Sequence, residues 1–283
     1  MTNDEPVDFP LHLFRSIILI YLVNIDLKIK CLVYIYMKPF FCRVGNKRKL
    51  LNFIKPYVPF HDTYIEPFFG SGALFFGLNE MVNNSIINDL DDDVYNGIIL
   101  LKNADENIDN YEFCYTIETT QALVNKTTTD KNEQLLQYLY LSSCTFGNKG
   151  FGKIFTARTG LQKFKHIQFY KKRLENTIIL KQDYKQIIND YDHKNAFFFL
   201  DPPYEKSKKD LYKNPNIDYE EMNNILINMK GKFLLTINDS ETIRNIFSHF
   251  YIVDEIHVKG QGHGNSHLGG LYRKELFIMN YIL

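Results

Sequence analysis

An acidic motif with two prolines follows an apolar run in the 283-residue sequence. Residues 197–200 are three phenylalanines and a leucine, and Asp201, Pro202, Pro203 and Tyr204 come directly after them. A parallel strand delivers the residues at its carboxyl end into a ligand crevice, and proline fixes φ there, so the Asp201 carboxylate is held in place. Oxygen acceptors beside a flat ring suit the exocyclic amino group of a planar base. The alternative is a strand end with a capping aspartate.

A glycine turn forms a second candidate binding element. The predicted strand 63–69 runs into Gly70 and Gly72, and a helix is predicted to follow. Glycine tolerates positive φ and has no Cβ, so a ligand can approach this backbone closely. The turn lacks the third glycine of a dinucleotide fingerprint, because residue 75 is Phe, and Glu66 would face a pyrophosphate. These features favour a cationic or nonphosphorylated nucleoside over a dinucleotide.

Asp89 is the candidate ligand for ribose hydroxyls. It ends the second predicted strand, where an acid accepts hydrogen bonds from ribose in nucleotide-binding folds. Asp91, Asp92 and Asp93 follow, and their position at the start of a helix favours a role in its N-terminus, where acids interact well with the helix dipole.

Strand-like and helix-like segments alternate along the chain, which is typical of an α/β domain with a mostly parallel sheet. The last two strands are joined by a Gly-rich loop without a helix, so we expect them to pair antiparallel. Ser240 is a candidate N-cap. The predicted strands are 63–69, 85–90, 177–184, 196–204, 232–239, 251–258 and 275–283, and the predicted helices are 73–82, 94–102, 219–230 and 240–250.

Positive charge is concentrated in one segment of a chain whose formal net charge is zero. Residues 145–174 carry eight Lys and Arg residues and no acid, with aromatic residues between them. This combination suits phosphate contact with base stacking, although a solvated helical face with core aromatics would have the same composition. The candidate DNA contacts are Lys149, Lys153, Arg158, Lys171, Lys172 and Arg173.

Composition excludes several other classes of protein. The four cysteines are dispersed, without the spacing of a zinc site, so we expect free thiols in a reducing compartment and no metal. The apolar stretch 13–37 is divided by Asp26, Lys28 and Lys30 into pieces too short to cross a bilayer. We therefore predict no membrane contact and a cytoplasmic location, in the host cytoplasm if the source is a virus.

The ordered set of motifs resembles the Dam-type (D12 class) DNA adenine-N6 methyltransferases. This resemblance covers roughly residues 41–281 and implies S-adenosylmethionine as methyl donor, with an adenine flipped out of duplex DNA. It also implies a Rossmann-like fold with a seven-stranded sheet, mostly parallel with an antiparallel last strand, and an inserted helical target-recognition domain. The matching motifs are FCRVGNKRKLL (41–51), IEPFFGSGALFF (65–76), INDLD (87–91), YLSSCTFGNKG (140–150), QDY (182–184), FLDPPY (199–204) and KELFIMNY (274–281).

The resemblance implies a role for each matching position. The catalytic residues would be Asp201, Pro202, Pro203 and Tyr204. Ser142 and Ser143 replace an Asn-Arg pair that is usual in the family, so the duplex contacts and the recognition site stay open. The cofactor-binding residues would be Gly45, Asn46, Lys47, Glu66, Pro67, Phe68, Gly70, Gly72, Asp89, Asp183 and Tyr184.

The implied organisation is a catalytic domain interrupted by one insertion. Residues 37–102 and 174–283 would form the catalytic domain, 103–173 the DNA-binding insertion, and 1–36 an N-terminal extension without an assigned role. The implied partner is double-stranded DNA, and a restriction endonuclease is a candidate second partner whose existence the sequence leaves open. The alternatives are an amino-methyltransferase acting on cytosine N4 or RNA adenine, a nucleotide-dependent oxidoreductase, and a catalytically silent DNA-binding protein.

Overall fold

A seven-stranded sheet forms the centre of the computed structural model. The model describes residues 40, 47–78, 82, 84–105, 108, 111–114, 116–144, 161–164, 167–204, 217–259 and 272–282. The strands in these ranges are β1 (Thr63–Glu66), β2 (Asn84–Asn88), β3 (Tyr111–Cys114), β4 (Leu161–Phe164), β5 (Thr177–Leu180), β6 (Ala196–Leu200), β7 (Lys232–Asn238), β8 (Tyr251–Lys259) and β9 (Tyr272–Met279). The helices in the same ranges are α1 (Leu51–Ile54), α2 (Ala73–Gly77), α3 (Asp92–Asn103), α4 (Ile117–Val124), α5 (Lys131–Cys144), α6 (Ile167–Arg173), α7 (Tyr184–Tyr191), α8 (Tyr219–Ile227) and α9 (Glu241–Ile246).

The strand order of the sheet is β5-β2-β1-β6-β7-β9-β8. The first five strands in this order run parallel, whereas β9 pairs antiparallel with both β7 and β8. This arrangement confirms the predicted Rossmann-like sheet and the antiparallel end of the chain. Strands β3 and β4 form a separate two-stranded antiparallel sheet, which the sequence reading did not anticipate.

Strand β6, at the centre of the sheet, is apolar along its whole length because both faces of the sheet are covered. All five residues of β6 are buried. Phe197 and Phe199 lie in one core, with residues of α2, α3, α5 and α6, while Phe198 and Leu200 lie in the other, with residues of α7, α8 and α9. Alternate side chains of a strand point to opposite faces, so an uninterrupted apolar run is what a doubly covered parallel strand requires.

The strand order of the sheet has a topological switch point between β1 and β6. From β1 the chain continues through β2 to β5 on one side, and from β6 it continues to β7 on the other side. Strands β1 and β6 are neighbours and run parallel. In open α/β sheets such a switch point leaves a crevice outside the carboxyl ends of the two strands, and ligands bind there.

Two helices within the predicted 103–173 insertion contribute to the main core. Leu135, Leu136 and Leu139 of α5 and Ile167 and Tyr170 of α6 are buried against the same face of the sheet as α3. The assignment of 103–173 as a separate DNA-binding domain stays a prediction, and residues 145–160 lie outside the described ranges.

The predicted N-terminal extension, 1–36, also lies outside the described residues. Among the helices that are described, none has the length and apolar character needed to cross a bilayer.

Candidate functional site

The Asp201 carboxyl lies at the switch point, directly after the buried strand β6. The Lys47 ammonium forms an ion pair with its Oδ1, and Thr236 Oγ1 of β7 donates to the same oxygen at 3.1 Å. Only 4% of the Lys47 side chain and 20% of the Asp201 side chain are exposed. Burial raises the pKa of Asp201 above its ordinary value, and the Lys47 charge opposes part of that rise. The result is a fixed acceptor at the rim of the sheet.

The Tyr204 side chain is held beside Asp201 by two further contacts. Its hydroxyl donates to the Glu275 carboxylate of β9, at 2.7 Å from Oε1 and 2.5 Å from Oε2. The Lys47 Nζ lies 4.9 Å from the centroid of its ring. The intervening backbone is also restrained, because Pro202 is buried and the Pro203 carbonyl accepts a hydrogen bond from the Tyr219 hydroxyl.

The Glu66 carboxyl lies at the end of the neighbouring strand β1. It is 2% exposed and accepts a hydrogen bond from the Tyr64 hydroxyl at 2.7 Å. Burial raises the pKa of Glu66 well above its usual range, and the nearby charges of Asp201 and Asp89 raise it further. Three acids from adjacent strand ends therefore lie within electrostatic range of one another at the crevice.

The glycine turn is tied to the strand end that carries Asp89. The Gly70 N–H donates to Asp89 Oδ2 at 2.7 Å, and the Asp91 N–H donates to Asp89 Oδ1 at 2.9 Å. Gly70 and Gly72 have φ values of +51° and +64°, which glycine adopts without steric strain. A Cβ at Gly70 would meet no atom within 4 Å, whereas one at Gly72 would lie 2.4 Å from the Phe69 ring. Open space thus adjoins Gly70, as the approach of a ligand requires.

Two of the predicted cofactor residues, Phe68 and Tyr184, lie close together. The rings of Phe68 and Tyr184 lie 5.3 Å apart, centroid to centroid. Tyr184 is buried, and its hydroxyl oxygen has no hydrogen-bond partner among the described residues. Burial raises the pKa of this hydroxyl, so it stays protonated and able to donate. Asp183 is exposed and caps α7 by accepting from the Lys185 N–H at 2.9 Å.

Of the remaining cofactor candidates, Pro67 lies among the described residues. Pro67 is buried after β1, and its carbonyl accepts a hydrogen bond from Asn88 Nδ2 at 2.9 Å. Asn88 also accepts from the Gln182 N–H at 2.8 Å, so this side chain joins the loops after β1 and β5. Gly45 and Asn46 lie outside the described residues.

The basic side chains of α6 have different environments. Arg173 donates to the backbone carbonyls of Phe75 and Leu78, at 2.8 Å and 2.6 Å, and so holds the end of α2. Lys171 donates to the Ala104 carbonyl, and Lys172 is exposed. Lys149, Lys153 and Arg158 lie outside the described residues.

Thr236 and Glu275 are members of the site to which the sequence reading gave no role. Each is a polar residue within an apolar strand, in LLTIN and KELFIM respectively. Their side chains are buried and lie on the same face of the sheet. Thr236 pairs with Phe277 of β9, and Glu275 lies two residues from Phe277, so its side chain points to the same face. Such polar residues at inward-facing positions are the signal that could have identified them.

The comparisons with known proteins agree with this geometry. The family model of the D12 class N6 adenine-specific DNA methyltransferases matches residues 44–261. The Type II methyltransferase M.CviBI of Paramecium bursaria Chlorella virus NC1A is 26% identical over 230 residues, which cover 75% of this chain and 86% of the relative.

The chain is also similar to solved structures, at lower sequence identity. A precorrin 8W decarboxylase structure from Methanobacterium thermoautotrophicum has a TM-score of 0.40 and 9% identity, covering 87% of this chain and 100% of that chain. A structure described as the methyltransferase yhhF of Escherichia coli has a TM-score of 0.37 and 11% identity, covering 84% of this chain and 88% of that chain. The match of the family model spans most of the sequence and includes the glycine turn, Asp89 and the Asp201–Tyr204 motif. The chain belongs to the D12 class of N6 adenine-specific DNA methyltransferases.

Proposed function

We propose that this enzyme methylates adenine N6 at a specific site in duplex DNA after the target base has left the helix. The observation that carries the proposal is the restrained Asp201 carboxyl at the β1–β6 switch point, with the Tyr204 ring beside it. A base inside a duplex cannot reach such a pocket, so it must be extruded, at a cost of a few kcal/mol. Stacking on Tyr204 would offset part of that cost.

The residues of the crevice fit S-adenosylmethionine as the donor, which is the cofactor that the family implies. The open space at Gly70 leaves room for a ligand against the backbone. Asp89 would accept from ribose hydroxyls, while Phe68 and Tyr184 would line the base of the nucleoside, with Asp183 at its edge. When bound, the cofactor supplies a methyl group on a positively charged sulfur, and acids at adjacent strand ends favour a cation there.

The chain's own residues would make the target amino group more reactive. The lone pair of adenine N6 is delocalised into the ring, so the nitrogen is a weak nucleophile. Asp201 and the Pro202 carbonyl would accept hydrogen bonds from this amino group and favour tetrahedral character at the nitrogen. Lys47 favours the ionised form of the Asp201 carboxyl for this task, because a nearby cation opposes the rise in its pKa that burial causes. Positioning and electrostatics would therefore account for most of the rate enhancement.

DNA phosphates would be bound by basic side chains that remain accessible. Lys172 is the described residue of α6 that suits this role, because it is exposed. Lys149, Lys153 and Arg158 are further candidates from the sequence. Lys171 and Arg173 donate to backbone carbonyls, which favours a structural role for both.

A restriction endonuclease is the protein partner that we propose for the same cell. The support is the likeness to M.CviBI, whose name describes a Type II methyltransferase. Methylation by the enzyme would then protect the shared recognition site, and the cytoplasm stays the predicted location.

The test is transfer of a labelled methyl group to DNA, followed by mass analysis of the released nucleosides. We expect the wild-type enzyme to produce N6-methyladenine. Asp201→Ala should reduce the rate by about 100-fold or more while S-adenosylmethionine still binds, because a group that acts on the reacting nitrogen is lost. Asp190→Ala, at an exposed position on α7, is the matched control. Methylated cytosine as the product, or full activity of Asp201→Ala, would overturn the proposal.

A further inference from the structure

Glu275 is a buried acid in strand β9, directly before a run of buried apolar residues. It is 7% exposed, and the four residues that follow it, Leu276 to Met279, are each 1% exposed or less. An ionised carboxylate is costly to bury unless it is paired or hydrogen-bonded. Such a residue at this position calls for a partner that makes use of its charge.

The hydroxyl of Tyr204 is one such partner. Both carboxylate oxygens of Glu275 lie within hydrogen-bond distance of it, at 2.7 Å and 2.5 Å. Bonds between a hydroxyl and a carboxylate at such distances belong to the strong, charge-assisted class. The two residues are 71 positions apart in the chain, so the bond joins the loop after β6 to β9.

The backbone around Glu275 is irregular. Strand β9 pairs with β8 as Val253 with Phe277 and Ile256 with Glu275, so three steps along β8 correspond to two steps along β9. This bulge alters the local pairing at the position of Glu275. Bulges are common beside active sites, where they redirect a side chain.

The bond has a chemical consequence for the Tyr204 ring. A tyrosine held only by packing can rotate about χ1 and χ2, whereas a hydroxyl anchored at its far end fixes the plane of the ring. The Lys47 ammonium lies 4.9 Å from the same ring and pairs with Asp201. Donation to a carboxylate also makes the phenol more electron-rich, which strengthens its attraction to positive charge.

We propose that Glu275 is a positioning residue for methyl transfer: it holds the Tyr204 ring in the plane against which the target base stacks. This inference rests on the proposed function. Glu275 lies outside residues 44–261, which the family model matches, and its carboxylate accepts from Tyr204, which borders the proposed pocket. The stacking surface is thus set by a strand that lies two positions away from β6 in the sheet.

A double-mutant cycle with Tyr204→Phe and Glu275→Leu tests the inference. Each single variant should lower kcat/KM for duplex DNA by about ten- to a hundredfold, as expected for the loss of one charge-assisted hydrogen bond. The double variant should lose no more than the worse single variant, because both changes remove the same bond. Glu275→Gln should be intermediate, since its amide oxygen still accepts from the hydroxyl.

A second measurement separates positioning from a general loss of structure. DNA with 2-aminopurine at the target position reports by its fluorescence how the extruded base stacks, and both single variants should change this signal in the bound complex. Binding of S-adenosylmethionine should stay unchanged, as should all activities of the control Glu175→Gln at an exposed position. If Glu275→Leu does not fold, Tyr204→Phe alone carries the test, because it removes only the hydroxyl.

The outcomes are distinguishable from failure of the proposed function. Wild-type enzyme that methylates no adenine would refute the proposed function. Two outcomes with a wild-type enzyme that methylates adenine would refute only the role of Glu275. In one, the loss in the double variant equals the product of the two single losses; in the other, Tyr204→Phe has unchanged activity.

Discussion

Asp201 is a carboxyl group that the fold keeps away from bulk water but close to one lysine. Burial raises its pKa, whereas Lys47 and Thr236 oppose that rise. An acid with a raised pKa becomes protonated at a higher pH than usual, and the protonated form loses an acceptor for the substrate amino group. The rate should therefore fall on the acidic side at a pH above the ordinary aspartate pKa of about 3.9.

Lys47→Met tests this electrostatic role. Loss of the ammonium removes the charge that lowers the pKa of Asp201, so the acidic limb of the pH profile for kcat/KM should move to higher pH. Lys49→Met, on the same short turn but exposed, should leave the limb in place. An identical acidic limb in wild type and Lys47→Met would show that Lys47 does not tune the pKa of the Asp201 carboxyl.

The sequence predicted which acids stand at the strand ends but not their partners. Asp201 directly follows an apolar run and Asp89 comes two residues after Ile87, whereas Glu66 lies inside the predicted strand 63–69. The partner of Asp201 is 154 positions away, and the partner of Tyr204 is 71 positions away. Contacts across such separations depend on strand order, which a single sequence without homologues does not supply.

The loop between β1 and α2 depends on glycine at two positions for two different reasons. Both residues adopt positive φ, but only Gly72 is enclosed, with the rings of Phe69 and Phe76 at 2.4 Å and 2.8 Å from the position of a Cβ. Gly70 faces open space and donates to Asp89. One glycine is therefore required by packing, and the other is the one that we propose lets the cofactor approach the backbone.

Alanine at each position should separate these roles. Gly72→Ala combines left-handed strain of about 1–2 kcal/mol with an overpacking cost of about 1–3 kcal/mol, and thermal unfolding should register both. Gly70→Ala carries only the strain, so its larger effect should be on the affinity for S-adenosylmethionine, measured by calorimetry. Equal losses of stability with unchanged cofactor affinity would contradict the assignment of Gly70 to the binding surface.

The elements themselves were predicted unevenly. The seven strands of the sheet and the Ser240 cap are confirmed, since the Ser240 side chain accepts from the Ile243 N–H. Helix α7 was missed because the apolar run at 177–180 was extended through residue 184, where Asp183 in fact caps a helix. Short strands such as β3 and β4 contain too few residues to show a clear alternation of apolar and polar side chains.

The zero net charge of the molecule means that DNA binding must depend on local positive charge. Charge density along the sequence indicated the segment 145–174, which includes α6, but it could not distinguish a lysine that faces solvent from an arginine that holds a helix end. Arg173 donates two hydrogen bonds to backbone carbonyls, whereas Lys172 is exposed. The same basic cluster therefore divides between the fold and the surface.

Two single variants should show this division. Lys172→Met should weaken binding to duplex DNA and reduce the slope of log affinity against log salt by about 1, measured by fluorescence anisotropy, with stability unchanged. Arg173→Met should instead lower the free energy of unfolding by about 2–4 kcal/mol, because carbonyls that bonded a charged group lose their donor. The reverse pattern, with a stable Arg173→Met enzyme that has lost the salt dependence, would assign Arg173 to the DNA surface.

The most direct test of the central claim is a crystal structure with S-adenosylmethionine bound. We expect the sulfur-bound methyl group to face the space bounded by the Asp201 carboxyl, the Pro202 carbonyl and the Tyr204 ring, with the ribose hydroxyls at Asp89. A donor bound elsewhere, or one whose methyl group points away from Asp201, would contradict the claim that this rim of the sheet is the site of methyl transfer.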